Sequence, residues 1–302
     1  MQFMAIAMIV KKEKIKLIHA HWIIPQGIIA VIYKKFINKD VKILATIHGA
    51  DIYSFRNSIG RFLKKFILNN IDELTVVSNA IREEVIKLGY KRNIYVYPMG
   101  IDTRLFSPDK KDGKLKERLG IKEEFILFVG GIIERKGISF LIKAMPKIVD
   151  EFPFIKLVVV GDGNLKSEMI RLVNALNISD NVIFTGVIPH DQLPSYFSTA
   201  DLFILPSLSE GFGLVVIEAL SCGTLAITSD LKPIHDIIID NETGFFLEKL
   251  TPEDITKKII WILRNKENLK HVSEKGREFV VKSYDWAIVI ENYGKIIRSL
   301  CE

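Results

Sequence analysis

Glu210 and Glu218 stand eight positions apart, on either side of a glycine-containing turn. The turn follows the apolar run Leu202 to Leu205 and precedes an apolar segment, so it is predicted to join a strand to a helix. The first amide groups of a helix bind anions, and Gly211 and Gly213 let a ligand approach the backbone closely. Carboxylates repel phosphate but bind hydroxyl groups strongly. The pattern therefore predicts a ligand with both phosphate and hydroxyl groups, such as a nucleotide sugar.

This segment resembles the E-x7-E motif of retaining glycosyltransferases of the family-4 type, the glycosyl transferases group 1. The resemblance implies that Glu210 holds the transferred sugar and that Glu218 holds the ribose hydroxyls. It also implies that main-chain amides between the glutamates meet sugar and phosphate, at Phe212, Gly213 and Leu214. The alternative is an ordinary helix start that carries two surface glutamates.

A second segment, residues 128–137, lies where another apolar strand meets its helix and is similar to the family's G-R-x-x-x-x-K-G loop. The similarity implies that Gly130 and Gly131 lie at the donor and that Lys136 neutralises its diphosphate, which stabilises the leaving group. Gly131 stands where the family has an arginine, and Arg135 is the candidate substitute. The alternative for Lys136 is a solvated charge on a loop.

The first half of the chain contains a segment similar to the family's H-G-x-D motif beside the transferred sugar: His48, Gly49 and Asp51 follow an apolar strand. We predict His48 to be catalytic, with its tautomer and role undecided. His21 and Trp22 follow an earlier strand and resemble a run on the family's acceptor side. Asp51 is expected on that side as well. Ordinary packing of aromatic rings at a strand end is the alternative.

Short β-branched runs alternate with longer amphipathic segments along the whole chain and position these residues. This alternation is typical of an α/β fold with parallel sheets. Nearly continuous apolar strands predict doubly wound sheets whose ligands bind beyond the carboxyl ends of the strands. The predicted strands are Lys16 to Ala20, Val41 to Ile47, Glu73 to Val77, Ile94 to Tyr97, Phe125 to Val129, Leu157 to Val160, Val182 to Thr185, Leu202 to Leu205 and Leu225 to Thr228.

The family resemblance implies a GT-B fold, in which two Rossmann-like doubly wound domains face a cleft. We expect a partial N-terminal, acceptor-side domain over 1–102, a linker over 103–121 and a nucleotide-sugar-binding domain over 122–283. The closing helix, 284–302, is expected to pack back on the N-terminal domain. The resemblance starts near the third β-α unit of the family's first domain, so this domain is expected to be incomplete.

Composition sets limits on partners and location. The 302 residues carry a net charge of +6 and only two cysteines, which favours anionic partners, a reducing cytoplasm and neither disulfides nor a cysteine metal site. The chain has no motif for nucleic acid and no cluster with metal-ligand spacing, so we expect no cofactor and no metal. The apolar run Met1 to Val10 is too short to span a bilayer and is predicted to be a core helix.

The helix predicted over Ser58 to Asn70 has an apolar face and a basic face. Such a helix either touches an anionic membrane, as on a peripheral protein of the inner face, or packs its apolar side on the core with the basic side in water. The apolar residues are Ile59, Phe62, Leu63, Phe66 and Ile67, and the basic residues are Arg61, Lys64 and Lys65.

The resemblance implies transfer of a hexose from a nucleoside diphosphate sugar to a hydroxyl of a glycan or lipid-linked acceptor, with retention at the anomeric carbon. A front-face mechanism is usual in that family. One alternative is a nucleotide-sugar 2-epimerase of the same fold, which would release a free epimer without an acceptor. Another is a catalytically impaired donor-binding remnant or partner subunit, which would bind donor without turnover.

Overall fold

A computed structural model describes residues 2–302 of the chain. The chain divides into two compact units, one made of the residues up to 100 together with 287–302 and the other of residues 101–286. Each unit is a Rossmann-like α/β body built on a parallel sheet. The predicted α/β class and the two sheets are therefore confirmed.

The first unit contains a four-stranded parallel sheet in the order β1-β2-β3-β4. Its strands are β1 Leu17–His21, β2 Lys42–Ile47, β3 Glu73–Val76 and β4 Tyr95–Val96. Its helices are α1 Gln2–Lys12, α2 Ile28–Phe36, α3 Ala50–Tyr53, α4 Ser58–Leu68 and α5 Asn79–Lys87, with a short helical turn at Ile23–Gly27. Because His21 pairs with Thr46 in register, β1 and β2 end level with each other, and the loops after them are neighbours.

The second unit contains a six-stranded parallel sheet in the order β10-β9-β8-β5-β6-β7. Its strands are β5 Phe125–Val129, β6 Lys156–Val160, β7 Val182–Gly186, β8 Leu202–Leu205, β9 Ala226–Ser229 and β10 Phe245–Leu247. The chain begins this sheet at β5 and moves outward through β6 to β7, then returns to pair β8 with the other edge of β5. The order therefore reverses between β5 and β8, and a sheet of this kind binds its ligands at that reversal, beyond the carboxyl ends of the strands.

Amphipathic helices cover the second sheet because their apolar residues recur every three or four positions. In α7 this spacing buries Leu141, Met145 and Ile148. The helices are α6 Leu115–Arg118, α7 Ile138–Glu151, α8 Lys166–Ala175, α9 Leu193–Thr199, α10 Leu214–Ser221, α11 Pro252–Asn265 and α12 Lys270–Tyr284, before the C-terminal helix Trp286–Cys301. Short 3-10 turns lie at Pro108–Lys110, Glu134–Lys136, Ser179–Asn181, His190–Gln192 and Lys232–Ile234.

The segment 103–121, expected to be a linker, belongs to the second unit. Phe106, Leu115 and Ile121 are buried in it, and the Ser221 hydroxyl donates a hydrogen bond to the Phe106 carbonyl at 2.6 Å. The lysine-rich sequence between these apolar residues is typical of a linker, but widely spaced large side chains are enough to attach the segment to the core. The C-terminal helix, from Ala287 onward, belongs to the first unit.

The helix predicted over Met1 to Val10 is present as α1, but only one of its faces belongs to the core; Met1 lies outside the described residues. One face packs on the core, where Ile6, Ala7 and Val10 meet Tyr33 and Val41. Met4 and Met8 on the other face are exposed. In residues 2–302 no helix is both long and apolar enough to cross a membrane.

Helix α4 reverses part of the predicted pattern. Ile59 and Phe62 are 74% and 73% exposed, whereas Lys64 is only 2% exposed. The Lys64 ammonium donates a hydrogen bond to the Ile52 carbonyl at 2.6 Å and another to the Ser54 carbonyl, which compensates for its burial. Of the predicted apolar face only Ile67 is fully buried, next to the buried Leu68 at the end of the helix. The interpretation as a core-packed helix with a solvated basic face was therefore wrong in part.

Candidate active site

The loops after β5 and β8 meet at the point where the strand order reverses. Lys136 on the first loop donates a hydrogen bond to Glu210 on the second, with 2.6 Å between Nζ and Oε1. The two side chains are only 14% and 7% exposed. The structure thus brings together the residue predicted to meet the diphosphate and the residue predicted to hold the transferred sugar.

Two further groups surround the Glu210 carboxylate. The Ser207 hydroxyl donates to Oε1 at 2.6 Å. Arg135 donates from Nη1 to the Ser209 carbonyl at 3.0 Å, and the same nitrogen lies 3.7 Å from Glu210 Oε2. Two cations therefore lie beside one carboxylate, which leaves excess positive charge for an anion. An ammonium has three N–H donors, so Lys136 keeps two for other acceptors.

Close contact between the two loops depends on glycine. Gly137 has a φ of +66°, and a Cβ atom there would lie 1.8 Å from the Pro206 carbonyl oxygen. Gly130 precedes the turn, and a Cβ atom there would lie 3.8 Å from Cε of Lys136. At Gly131 the nearest atom to a Cβ would be 3.8 Å away, so a side chain fits where the family has arginine. Arg135 reaches the Glu210 loop by a different path.

Helix α10 begins at Leu214, directly after the loop that carries Glu210. Gly213 has a φ of +104°, and a Cβ atom there would lie 2.5 Å from the Ile234 side chain. Phe212 is buried against the Tyr284 ring, with 5.9 Å between centroids. The Phe212 side chain is thus part of the core, and this turn offers a ligand its main-chain amides at the positive end of the helix dipole.

Glu218 lies within α10, and its side chain is only 3% exposed. Its Oε1 accepts a hydrogen bond from His190 Nε2 at 3.0 Å. Burial raises the pKa of the Glu218 carboxyl, and the hydrogen bond from His190 opposes that rise. Glu218 is buried, the Glu210 side chain is largely shielded and both are hydrogen-bonded, so the alternative of two surface glutamates at an ordinary helix start was wrong.

The first unit places His48 and His21 side by side beyond the ends of β2 and β1. One ring nitrogen donates to the other across 3.0 Å, between His21 Nδ1 and His48 Nε2. The Trp22 ring meets His48 edge-on at 5.8 Å between centroids. Burial, and secondly the neighbouring His21, lowers the pKa of His48 to about 4. His48 is therefore a neutral imidazole near pH 7.

His19 completes this cluster of rings. Its Nε2 lies 2.8 Å from the Thr46 hydroxyl, and its ring lies 4.2 Å from that of His21. Tyr293 from the C-terminal helix contacts the His19 ring at 5.5 Å. Burial, followed by the charges of His21 and His48, lowers the pKa of His19 to about 4.

Asp51 is buried and accepts main-chain hydrogen bonds from both loops. Its carboxylate accepts from Ile23 at 2.9 Å, Gly49 at 3.1 Å and His48 at 3.3 Å. Burial raises the pKa of Asp51, and these amides oppose the rise. The carboxylate, expected on the acceptor side, therefore ties the loop after β2 to the segment after β1 and positions His48.

No role was predicted for Ser207, His190 or Tyr293. Ser207 is the second residue after the apolar β8 and precedes Glu210 by three residues, which is a usable local signal. His190 stands 28 residues from Glu218, and nothing in the sequence links them. Residues 2–302 contain no group of three or more His, Cys, Asp or Glu side chains arranged to hold a metal ion.

Comparison with known families divides the chain in two. Residues 110–279 match the model described as glycosyl transferases group 1. Residues 2–105 match the model described as glycosyltransferase family 4.

Three curated relatives cover between 81% and 97% of the chain. An uncharacterised glycosyltransferase from Methanocaldococcus jannaschii is 30% identical over 97% of this chain and 78% of its own length. N-acetyl-alpha-D-glucosaminyl L-malate synthase of Bacillus anthracis is 29% identical over 96% of this chain and 76% of its own. A GDP-mannose-dependent phosphatidylinositol monomannoside mannosyltransferase of Mycolicibacterium smegmatis is 26% identical over 81% and 67%.

Solved structures show the same architecture. Sucrose-phosphate synthase from Thermosynechococcus elongatus has a TM-score of 0.84 at 27% identity, over 99% of this chain and 77% of that one. HepE of Anabaena, solved with UDP and glucose, has a TM-score of 0.83 at 18% identity over 98% and 81%, a likeness of fold. The chain belongs to the glycosyl transferases group 1 and is a glycosyltransferase with the GT-B fold.

Proposed function

We propose that the protein transfers a hexose from a nucleoside diphosphate sugar to a hydroxyl group of a glycan or lipid-linked acceptor, with retention of anomeric configuration. The hydrogen bond between Lys136 and Glu210 carries the proposal. It joins a cation suited to a leaving diphosphate and a carboxylate suited to sugar hydroxyls in one place, at the edge of the sheet where such folds bind ligands.

On the donor side, Lys136 and the first amides of α10 bind the diphosphate. Negative charge grows on the leaving phosphate oxygen as the glycosidic bond breaks, so fixed positive charge there lowers the barrier. Arg135 adds a second cation on the same loop. Glu210 accepts from hydroxyls of the transferred hexose, and Glu218 accepts from the ribose. The residues themselves supply this charge stabilisation, so we propose that no metal ion is required.

The surroundings of Glu210 bear on the route by which the proposed retention would be achieved. A double displacement needs a free carboxylate nucleophile, whereas Glu210 Oε1 already accepts hydrogen bonds from Lys136 and Ser207. A carboxylate held in this way is a better hydrogen-bond acceptor for the sugar than a nucleophile. We propose a front-face mechanism, in which the departing phosphate oxygen helps to take the acceptor proton.

On the acceptor side, we propose that His48 contacts the reacting sugar as a neutral hydrogen-bonding group. The lowered pKa of its imidazole favours this role over that of a cation. His21 and Trp22 flank His48 and are proposed to contribute to acceptor binding.

Product analysis by NMR tests the proposal. The protein is incubated with UDP-, GDP- and ADP-hexoses in the presence and absence of glycan and lipid acceptors, with and without a chelator. We expect an α-configured product from an α-configured donor, and kcat/KM about 100-fold lower for Glu210→Gln. Glu278→Gln, which alters an exposed acid on α12, is the control. Equal turnover by Glu210→Gln and wild type would contradict the assignment, and a free epimer formed without acceptor would instead identify an epimerase.

We also propose that the exposed face of α4 contacts an anionic membrane surface, which would make the protein peripheral on the inner face. Phe55, Ile59 and Phe62 present large apolar side chains to solvent. Exposed cations flank them: Arg56, Arg61 and Lys65 on the same segment and Lys35 at the end of α2. Lys35 also lies 4.8 Å from the Phe66 ring. Apolar side chains within a basic rim match the interface of an anionic bilayer.

Sedimentation with vesicles of phosphatidylglycerol and phosphatidylcholine tests this surface. Wild type should sediment at low salt and be released at high salt, because the cations contribute electrostatically. Phe62→Ser should weaken binding about tenfold, since one large apolar side chain contributes roughly 1.5–3 kcal/mol when buried. Phe154→Ser, at an exposed phenylalanine of the other unit, should have no effect. Failure of wild type to sediment would contradict the proposal.

A further inference from the structure

Among the described residues, His190 donates a side-chain hydrogen bond to the Glu218 carboxylate. Its Nε2 lies 3.0 Å from Oε1 of that carboxylate. The histidine side chain is 64% exposed and the glutamate side chain 3% exposed. A buried carboxylate is therefore reached by a donor from a loop that is open to solvent.

The loop that carries His190 is fixed at both ends. It follows β7, and the 3-10 turn His190–Gln192 leads directly into α9. The His190 ring packs against the ring of Phe106, with 5.1 Å between centroids. Phe106 is itself buried and contacts Phe197 of α9 at 6.2 Å. The imidazole is thus held from the side by an aromatic ring while its Nε2 points at Glu218.

The hydrogen bond has two effects on Glu218. It gives Oε1 a hydrogen-bond donor, because burial of a carboxylate without a donor favours the neutral acid. It also fixes the orientation of the carboxylate, because one oxygen is bound to a side chain that packing holds in place. A carboxylate has about four acceptor sites on its two oxygens, which is more than the bond to His190 uses, and a pair of vicinal hydroxyls requires two.

We infer that His190 is a positioning residue for donor binding, which donates from Nε2 to Glu218 and holds its carboxylate oriented toward the 2′- and 3′-hydroxyls of the donor ribose. This inference rests on the proposed function, since it takes the ligand of Glu218 to be a ribose. His190 itself acts through Glu218, so its contribution depends on the presence of those hydroxyls.

Calorimetric binding of matched nucleotides tests the inference. The ligands are UDP, GDP and ADP, each compared with its 2′,3′-dideoxy analogue, and the proteins are wild type, His190→Ala, His190→Gln and Glu218→Gln. Glutamine keeps an N–H donor of similar reach, so it is the conservative variant. His271→Ala is the control, because that exposed histidine on α12 bonds only a local carbonyl, that of Asn268.

For the nucleotide that binds best, wild type should prefer the ribose form by about 10- to 100-fold, the range expected for hydrogen bonds to a charged group. His190→Ala should reduce the affinity ratio of ribose to dideoxy form about tenfold and leave the affinity for the dideoxy form unchanged. His190→Gln should restore most of that ratio. Glu218→Gln should narrow it at least as much, and adding His190→Ala to that variant should have little further effect.

The outcomes separate the two ideas. If His190→Ala weakens both forms of the nucleotide equally, or leaves the ribose preference intact while Glu218→Gln removes it, the role of His190 is refuted and the donor site stands. If Glu218→Gln keeps the full preference, or wild type binds no nucleotide, the donor assignment fails and this inference fails with it.

Discussion

The ammonium group of Lys136 lies 2.6 Å from Oε1 of Glu210, so the two residues expected to hold the phosphate and the sugar of one ligand are hydrogen-bonded to each other. They come from adjacent loops, 74 residues apart in the chain. The pair holds both groups in place before a ligand arrives. Preorganised charge is the contribution a protein makes to stabilising a leaving phosphate.

The first prediction concerns the stability of this pair. Lys136→Met leaves a mostly buried carboxylate with less compensation, and Glu210→Gln leaves a mostly buried ammonium, so each should lower the free energy of unfolding by about 2–4 kcal/mol. The double variant should lose less than the sum of the two, with a coupling of about 1–3 kcal/mol measured by denaturant unfolding. Lys282 and Glu278 form the control pair, since both are exposed and their coupling should stay below about 1 kcal/mol. Additive losses at the first pair would contradict the prediction.

The second prediction concerns Asp51. Asparagine has one acceptor oxygen and brings an N–H₂ group toward amides that themselves donate, so Asp51→Asn should lower stability by about 2–4 kcal/mol. It should also lower kcat, because the loop that carries His48 loses its anchor. Asp40→Asn, at an exposed acid, is the matched control. Thermal unfolding and steady-state kinetics measure both effects; a variant as stable and active as wild type would refute the anchoring role.

The third prediction is a loss of stability in acid that originates at the histidine cluster. His19 and His48 have a pKa of about 4 in the folded chain, against 6.5 for an ordinary histidine. Between these values the unfolded chain binds protons that the folded chain does not, so stability falls as the pH drops from 6.5 toward 4. The melting temperature should therefore fall from pH 7.5 to pH 5 for this reason, and His19→Gln should reduce the fall. His271→Gln, at an exposed histidine, should not; an equal fall in all three proteins would be the contrary result.

Much of the fold could be predicted from periodicity. The strands β5 and β8 were predicted to the residue, and β1 to β4, β6, β7 and β9 to within two residues at each end, because buried parallel strands are short apolar runs. β10, Phe245–Leu247, was missed because three residues make too short a run to stand out. The segment 103–121 was misread because its few buried apolar residues are separated by charged ones.

The candidate site could be predicted in part. Motif spacing singled out Lys136, Glu210 and Glu218 as candidates, because Lys136 and Glu210 lie on loops that follow apolar strands and Glu218 lies in the helix after the second loop. The partners of these residues could not be found in this way: His190 reaches Glu218 only through tertiary packing on Phe106. The burial of Lys64 could not be predicted either, because its hydrogen-bond acceptors are main-chain carbonyls, which no sequence pattern indicates.

The central claim is that Lys136 and Glu210 bind a nucleoside diphosphate sugar, and isothermal titration calorimetry of the whole chain with UDP-, GDP- and ADP-hexoses tests it most directly. Wild type should bind at least one of them. Lys136→Met should bind that sugar about 10- to 100-fold more weakly, because a cation beside the diphosphate is lost. Lys143→Met, at an exposed lysine of α7, should bind it as wild type does. Equal affinity of Lys136→Met and wild type, or no binding of any of these sugars, would contradict the claim.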